Sequence, residues 1–233
     1  FEEVLDDICT GETSGLAKAI GAFKRGIDRF CAIEYDRSVL KSKVFVTGEF
    51  LVTLHPGSNF DIENYLEKNG METVFPRITD MFRKDFICTG REITEFKVKI
   101  PPYPFFANPL FNVAQNSMEK IALKHPLYEK AASPQQLVDG VSHMIPPTLS
   151  CGEGWLIPAE IVHYAKQGVQ SFVILQPFGC LPNHICGRGT TKRIKDDFPG
   201  VQILPLDLDP DTSFANVENR LQMLIMNEKS KER

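Results

Sequence analysis

The chain has 233 residues, enough for one large α/β domain or two small ones. Hydrophobic residues make up 42% and charged ones 24%, an ordinary globular balance, and a net charge of −4 argues against a phosphate-gripping, nucleic-acid surface. No apolar run reaches the roughly 18 residues of a membrane span and no signal-peptide pattern opens the chain, so the expected location is the cytoplasm, away from membranes.

The first residue is Phe1, which reads as the start of a piece excised from a longer protein. Residues 14–31 place Leu16, Ile20, Phe23, Ile27 and Phe30 at helical spacing and predict an amphipathic helix. "KVFVTG" (43–48) predicts a short buried strand, followed by a loop, "EFLVTLHPGSNF", carrying His55, Pro56 and Gly57. Ser58 or Asn59 should cap a helix that ends at Gly70, and "METVFP" follows as a second strand. Strand, helix and strand within about thirty residues make a βαβ unit.

Residues 76–90 predict a further helix ending near Cys88 and Gly90. The stretch 99–111 holds four prolines among aromatic residues and reads as an irregular connection or lid. Residues 113–131 look helical, and Pro134 should open another helix toward His143. The second half repeats the rhythm: a helix around Pro158 ending at Gly168, the strand "QSFVILQ", a loop, a helix over 190–198, and the strand "GVQILPLDLD". Asp211, Thr212 or Ser213 should cap a last helix that buries Phe214, Val217, Leu221, Leu224 and Ile225, before a polar tail that reads as the natural C-terminus.

The alternation predicts an α/β fold with mostly parallel sheets, flanking helices and two Rossmann-like halves. The expected segments are a helical lead-in over 1–41, a first α/β half over 42–112, a helical connection over 113–150, a second half over 151–228 and a tail over 229–233. In such sheets ligands bind beyond the carboxyl ends of the strands. "LQPFGCLPNHICGRG" (175–189) stands at such an end.

That loop carries Cys180 five residues past "FVIL", with Gly179 and Pro182 shaping the turn. Cys151, in "SCGEGW", and Cys88, in "FICTG", likewise fall in small-residue turns at expected element ends. Three thiols on separate loops can converge on one iron–sulfur cluster, whose ligands are thiolates; each can also be a buried small hydrophobe. Cys9 and Cys31 read as packing residues, and with six cysteines but no CxxC pair a zinc ribbon is disfavoured. Secondary candidates are Glu153 beside Trp155, His184 and Cys186 in the loop, and His55 at the first strand end, where a turn role is the plainer reading. His163 reads as a surface histidine, and "GRGTTKR" (187–193) as a helix entry rather than a nucleotide motif.

Residues 44–226, about four-fifths of the chain, carry the strings "VTGEFLVTLHPGSNFDIENYLEKNGMETVFP", "GEGWLIPAEIVHYAKQGV", "QPFGCLPNHICGRG" and "LPLDLDPDTSFANVENRLQML". These resemble the C-terminal region of large acyl-CoA dehydratase activase-related proteins, itself similar to the iron–sulfur subunits of 2-hydroxyacyl-CoA dehydratases. The resemblance implies α/β domains, a 4Fe-4S cluster held by cysteines on separate loops, and anaerobic electron transfer supporting the dehydration of 2-hydroxyacyl-CoA thioesters. It makes Cys180 the first ligand candidate, with Cys151 and Cys88 next; Cys186 falls where the family accepts an apolar residue. It also implies an actin-like ATPase activase as partner, in the same parent chain or in trans, with ATP bound on those modules and not here. Two other classes stay open. One is a cluster-free scaffold that docks a dehydratase or activase; the other is a hydrolase or transferase with Cys180 as nucleophile and His184 as base.

Overall fold

In the computed structural model residues 2, 6, 15–36, 38–99 and 103–231 are described, with Cys9 outside them. In chain order they form α1 (Leu16–Cys31), β1 (Lys43–Gly48), α2 (Phe50–Leu54), α3 (Ile62–Lys68), β2 (Glu72–Val74), α4 (Ile78–Phe96), α5 (Tyr103–Ala122), α6 (Pro134–Val141), α7 (Leu156–Lys166), β3 (Ser171–Pro177), α8 (Thr191–Asp197), β4 (Gln202–Leu208) and α9 (Phe214–Lys231). A short 3₁₀ turn, Pro56–Ser58, separates α2 from α3, and a wide π-type turn, Asn183–Gly187, leads through a 3₁₀ turn into α8.

The chain divides into two compact units, residues 1–39 with 99–131 and residues 40–98 with 132–233. Contacts thus group the expected helical connection differently from its sequence position: 113–131 joins the N-terminal segment, while 132–150 joins the α/β unit. In the first unit α1 packs on α5, and Ala22 and Gly26 of α1 and Ala122 of α5 are buried.

The α/β unit is built on one parallel four-stranded sheet in the order β2-β1-β3-β4. This is the predicted parallel α/β architecture, and both sequence halves contribute two strands each to a single sheet. Period-two alternation sorts the strand residues onto two faces. Phe45, Phe172, Ile174 and Ile203 pack with Leu137, Val141, Trp155, Ile157, Ile161 and Ile194 from the α6, α7 and α8 side. Val44, Val46, Val173 and Leu175 pack with Ile62 and Leu66 of α3 and with Val217, Leu221, Leu224 and Ile225 of α9. Burial on both faces explains why these strands read as unbroken apolar runs.

Four local expectations are corrected. "FLVTL" is the helix α2, not loop, because the Glu49 side chain accepts the Val52 N–H at 2.8 Å and caps it. Asp61 rather than Ser58 or Asn59 stands directly before α3, but its side chain makes no capping bond; Asn59 Oδ1 accepts the N–H of Ile62, the first helical residue, at 3.4 Å, while its amide donates back to the Val52 and Thr53 carbonyls. The helix α4 runs on through Cys88 and Gly90 to Phe96, with Arg91–Glu95 paired one turn apart and Lys97 in the left-handed region ending it. Cys88 is therefore a mid-helix residue, not a turn residue. Finally, 103–122 is one helix with Pro109 inside it, so the expected irregular stretch is helical from Tyr103 and the expected helix over 113–131 stops at Ala122.

Candidate functional site

The strand order reverses direction between β1 and β3: from β1 the chain moves outward to β2, and from β3 it moves outward the other way to β4. That is the switch point at which open α/β sheets leave a crevice beyond their carboxyl ends. The two strand ends approach closely there. Gly48 has φ +137, and a Cβ on it would lie 1.9 Å from the Leu175 carbonyl oxygen, so the position admits only glycine. The Glu49 N–H then donates to Leu175 O at 2.9 Å.

Three segments meet over this point. Glu153, almost wholly buried, accepts the Phe50 N–H from the β1 end on Oε1 (3.3 Å) and the Asn183 amide from the β3 side on Oε2 (3.2 Å). Asn183 Nδ2 also donates to the Cys180 sulfur at 3.2 Å. One carboxylate therefore ties the loop that carries Cys151 to the one that carries Cys180. The loops also touch directly, since a Cβ on Gly152 would stand 2.9 Å from Pro182. Gly154, at φ +52, has no room for a side chain against Leu149 O.

Lys84 of α4 holds the Cys151 loop from below. It is only 2% exposed, and its ammonium donates to Ser150 O at 2.7 Å and to Gly152 O, the carbonyls on either side of Cys151. Among the described residues its carboxylate partner is the exposed Asp85, 3.3 Å away. Four residues on, Cys88 is 4% exposed; its sulfur accepts the Trp155 indole N–H (3.3 Å) while its thiol faces Pro147 O (3.7 Å). Burial pushes the Cys88 thiol pKa up against the opposing pull of that indole and of Lys84.

Between the loops lies an open groove of about 240 Å³, walled by Thr148, Leu149, Cys151, Leu181, Pro182 and Cys186 among others. Cys151 is exposed, Cys180 half-buried and Cys186 buried. Burial raises the Cys186 thiol pKa, and the neighbouring Cys151 adds to the rise. The groove thus brings Cys151 and Cys186 to one surface, with Cys180 adjoining Leu181 at its edge; Cys88 stays behind Trp155.

The ring nitrogens of His184 face oxygens rather than the Cys180 sulfur. Its Nδ1 faces the Cys180 carbonyl oxygen (2.8 Å) and its Nε2 the Asp207 carboxylate (3.2 Å), which also takes Gln176 Nε2 and Arg188. Both ring nitrogens are thereby engaged, which leaves no base poised on Cys180 as a Cys–His nucleophile needs. His55 bonds Ser58 within its own turn (2.9 Å), and His163 pairs with Gln167 on an exposed helix face.

The sequence reading missed four polar residues of this interior: Asn183, Glu160, Asp80 and Lys84. Asn183 is fully buried and its Oδ1 has no protein partner. Glu160 is buried on α7, with Oε2 accepting from Thr47 (3.1 Å) and Oε1 unpartnered. Desolvation pushes its carboxyl well above the usual range, and the nearby Asp80 and Glu153 charges push the same way. Asp80 is raised by burial too, opposed by Arg83 at 3.0 Å. A single Glu within the apolar run "LIPAEIV" was the available signal for Glu160; Lys84 gave none.

Among the described residues no three His, Cys, Asp or Glu side chains stand close enough to share a single metal ion, and no helix is long and apolar enough to cross a membrane. No family model, no curated protein and no solved structure matches the chain.

Proposed function

We propose that this chain is a redox module of the acyl-CoA dehydratase activase-related type, holding a 4Fe-4S cluster at the switch point between β1 and β3. The observation that carries the reading is the Glu153–Asn183 bridge, which sets the Cys151 and Cys180 loops against each other at the carboxyl ends of the strands. An amide N–H aimed at a sulfur is the kind of contact that stabilises a thiolate ligand. Cys180 and Cys151 fit the donor set. Cys186 offers a third thiol on the same groove, ahead of Cys88, which is packed in mid-helix behind Trp155 and whose burial opposes the thiolate form.

When bound, such a cluster supplies one-electron transfer. The chain's own residues would position the thiols through the Glu153–Asn183 bridge and hold the Cys151 loop through Lys84. The electron donor is an actin-like ATPase activase, with ATP on that partner, and the acceptor a 2-hydroxyacyl-CoA thioester; the setting is the anaerobic cytoplasm. Anaerobic purification with iron and sulfide analysis tests this. About four irons per chain, lost in Cys180→Ser with the fold retained, is the expected result; an iron-free protein overturns it.

A second reading, a cluster-free docking scaffold, is favoured by one observation. Phe178, Leu181 and Ile185 around the same loop are 76%, 60% and 53% exposed, a concentration of large apolar side chains that suits a partner surface.

A further inference from the structure

A second cleft lies at the amino ends of β1 and β3, the opposite end of the sheet from the switch point. Its volume is about 490 Å³, and its walls come from the lead-in to β1, the turn between α7 and β3, and the last turn of α9. Lys41, Lys43 and Lys231 line it together with Leu40, Gln170 and Glu228. Three ammonium groups and one carboxylate in one cleft run against the net charge of −4 on the whole chain. That carboxylate is already answered. Glu228 is 8% exposed, and its Oε2 accepts from Ser171 Oγ (2.7 Å) and Gln202 Nε2 (3.0 Å) and faces Lys231 Nζ (3.3 Å). Lys231 also donates to Gln170 Oε1 (2.9 Å) and Gly200 O (3.0 Å), which fixes its head in the wall. Lys41 is exposed and pairs with no carboxylate among the described residues. Lys43 faces Glu72 at 3.8 Å across side chains 34% and 51% exposed, where an ion pair contributes little. Ser42 O accepts the Glu72 N–H at 2.9 Å, so the strand pairing reaches this segment, and two-residue alternation sets Lys41 and Lys43 on one side of it.

We infer that this cleft binds a small phosphate monoester, with the phosphate between Lys41 and Lys43 and the organic part against Leu40 and Gln170. Two ammonium groups match the charge of a phosphate dianion, and lysine serves phosphate as a point charge without needing a fixed fork. Lys231 neutralises Glu228 and so keeps the wall from repelling the ligand. Gln170, whose oxygen is taken by Lys231, offers its amide N–H₂ as a further donor. Leu40, 92% exposed, gives the organic part an apolar contact. The volume falls in the range of small-molecule sites, about 300 to 1,000 Å³, and leaves room beyond the phosphate itself. Two features oppose an anion. Glu72 is half-exposed and screened by solvent, and the α7 C-terminus at Gln167 carries only about half an elementary charge. The lysine pair outweighs both.

None of these residues belongs to the cysteine loops, so the site stands or falls apart from the cluster reading and whatever the iron content. The whole chain, isotope-labelled, is titrated with phenyl phosphate, inorganic phosphate and succinate while backbone amide NMR shifts are followed. The expected result is saturable shifts over 40–43, 168–170 and 228–231, with a Kd for phenyl phosphate at or below about 1 mM and weaker binding of the other two. Lys41→Gln and Lys43→Gln should each weaken phenyl phosphate about fivefold, with the remaining spectrum and the urea midpoint unchanged. Both lysines reach solvent, so neither change disturbs the core. The proposal is overturned if no saturable shift appears by about 10 mM, or if the shifts lie on other segments. Inorganic phosphate or succinate binding as tightly as phenyl phosphate also overturns it, as does undiminished affinity in the variant carrying both substitutions.

Discussion

Replacing Glu160 by Gln changes the pH dependence of stability in a defined direction. In the folded protein the Glu160 carboxyl is wholly enclosed, with Thr47 as its one hydrogen-bond partner and Asp80 and Glu153 nearby, and its pKa lies well above 4.5. The unfolded chain releases that proton near 4.5 while the folded chain keeps it. The folded state therefore binds more protons, and stability falls as pH rises above that point, by up to about 1.4 kcal/mol per pH unit. Between pH 5 and 7 this amounts to at most about 3 kcal/mol. Gln keeps an acceptor for Thr47 but cannot ionise, so the variant lacks this slope. At pH 5 it should be no more stable than the parent, since its amide N–H₂ inherits the unpartnered position of Oε1. Glu63, also raised, slopes the same way in both proteins and cancels in the difference, whereas Asp80, whose charge acts on Glu160, contributes to what the difference reads. Urea unfolding followed by tryptophan fluorescence at half-unit pH steps reads the effect directly, because Trp155 is fully buried beside the site. Parallel stability curves for parent and variant would refute the reasoning, showing that Glu160 titrates alike in both states.

Further expectations rest on packing and loop anchoring. Gly48→Ala should cost about 3 kcal/mol or more, seen as a lowered urea midpoint, because its Cβ meets backbone at 1.9 Å. Gly168→Ala, with φ +93 but open space around it, should cost only about 1 to 2 kcal/mol by the same assay. Lys84→Met removes both hydrogen bonds to the carbonyls beside Cys151 and should cost about 1 to 3 kcal/mol, with faster amide hydrogen exchange over residues 148–154. Asp207→Asn weakens the contacts that tie His184 and Arg188 to β4, and exchange should quicken over 180–190 while the sheet core stays protected.

The two central strands were legible because β1 and β3 are buried apolar runs ending at Gly48 and Pro177, and α7 because Gly168 closes an apolar periodicity. What misled were residues whose side chains act at a distance. The five-residue α2 owes its start to the Glu49 carboxylate, which no periodicity marks. Gly90 and Pro109 read as stops, yet a glycine costs a helix only about 1 kcal/mol, which surrounding contacts can offset. Cys88 therefore reads as a turn residue in the sequence, whereas it is a packed mid-helix thiol. The Cys180 loop was legible as a strand-end site from its composition. Its tie to Cys151 was not, because it passes through Glu153 and Asn183, thirty residues apart, and only the fold brings them to 3.2 Å.

The polar interior beneath these loops is costly by design. Asn183 and Glu160 each leave a buried oxygen without a protein partner, and Lys84 is enclosed with carbonyls in place of a buried counter-ion. Well-packed apolar residues in those places would commonly serve stability as well or better. What the polar groups provide instead is direction. Glu153 reaches two strand ends at once, Lys84 grips both neighbours of Cys151, and Asn183 aims an N–H at the Cys180 sulfur. Apolar contacts are non-directional and could hold the loops down, but not at fixed sulfur positions. The loss of stability is concentrated at the switch point, while Val44, Val46, Phe172 and Ile174 along the strands make an uninterrupted apolar core. Glu160, Gln176 and Asn183 keep unpartnered buried atoms near the carboxyl ends of β1 and β3, which supports the proposal that this end is the functional one.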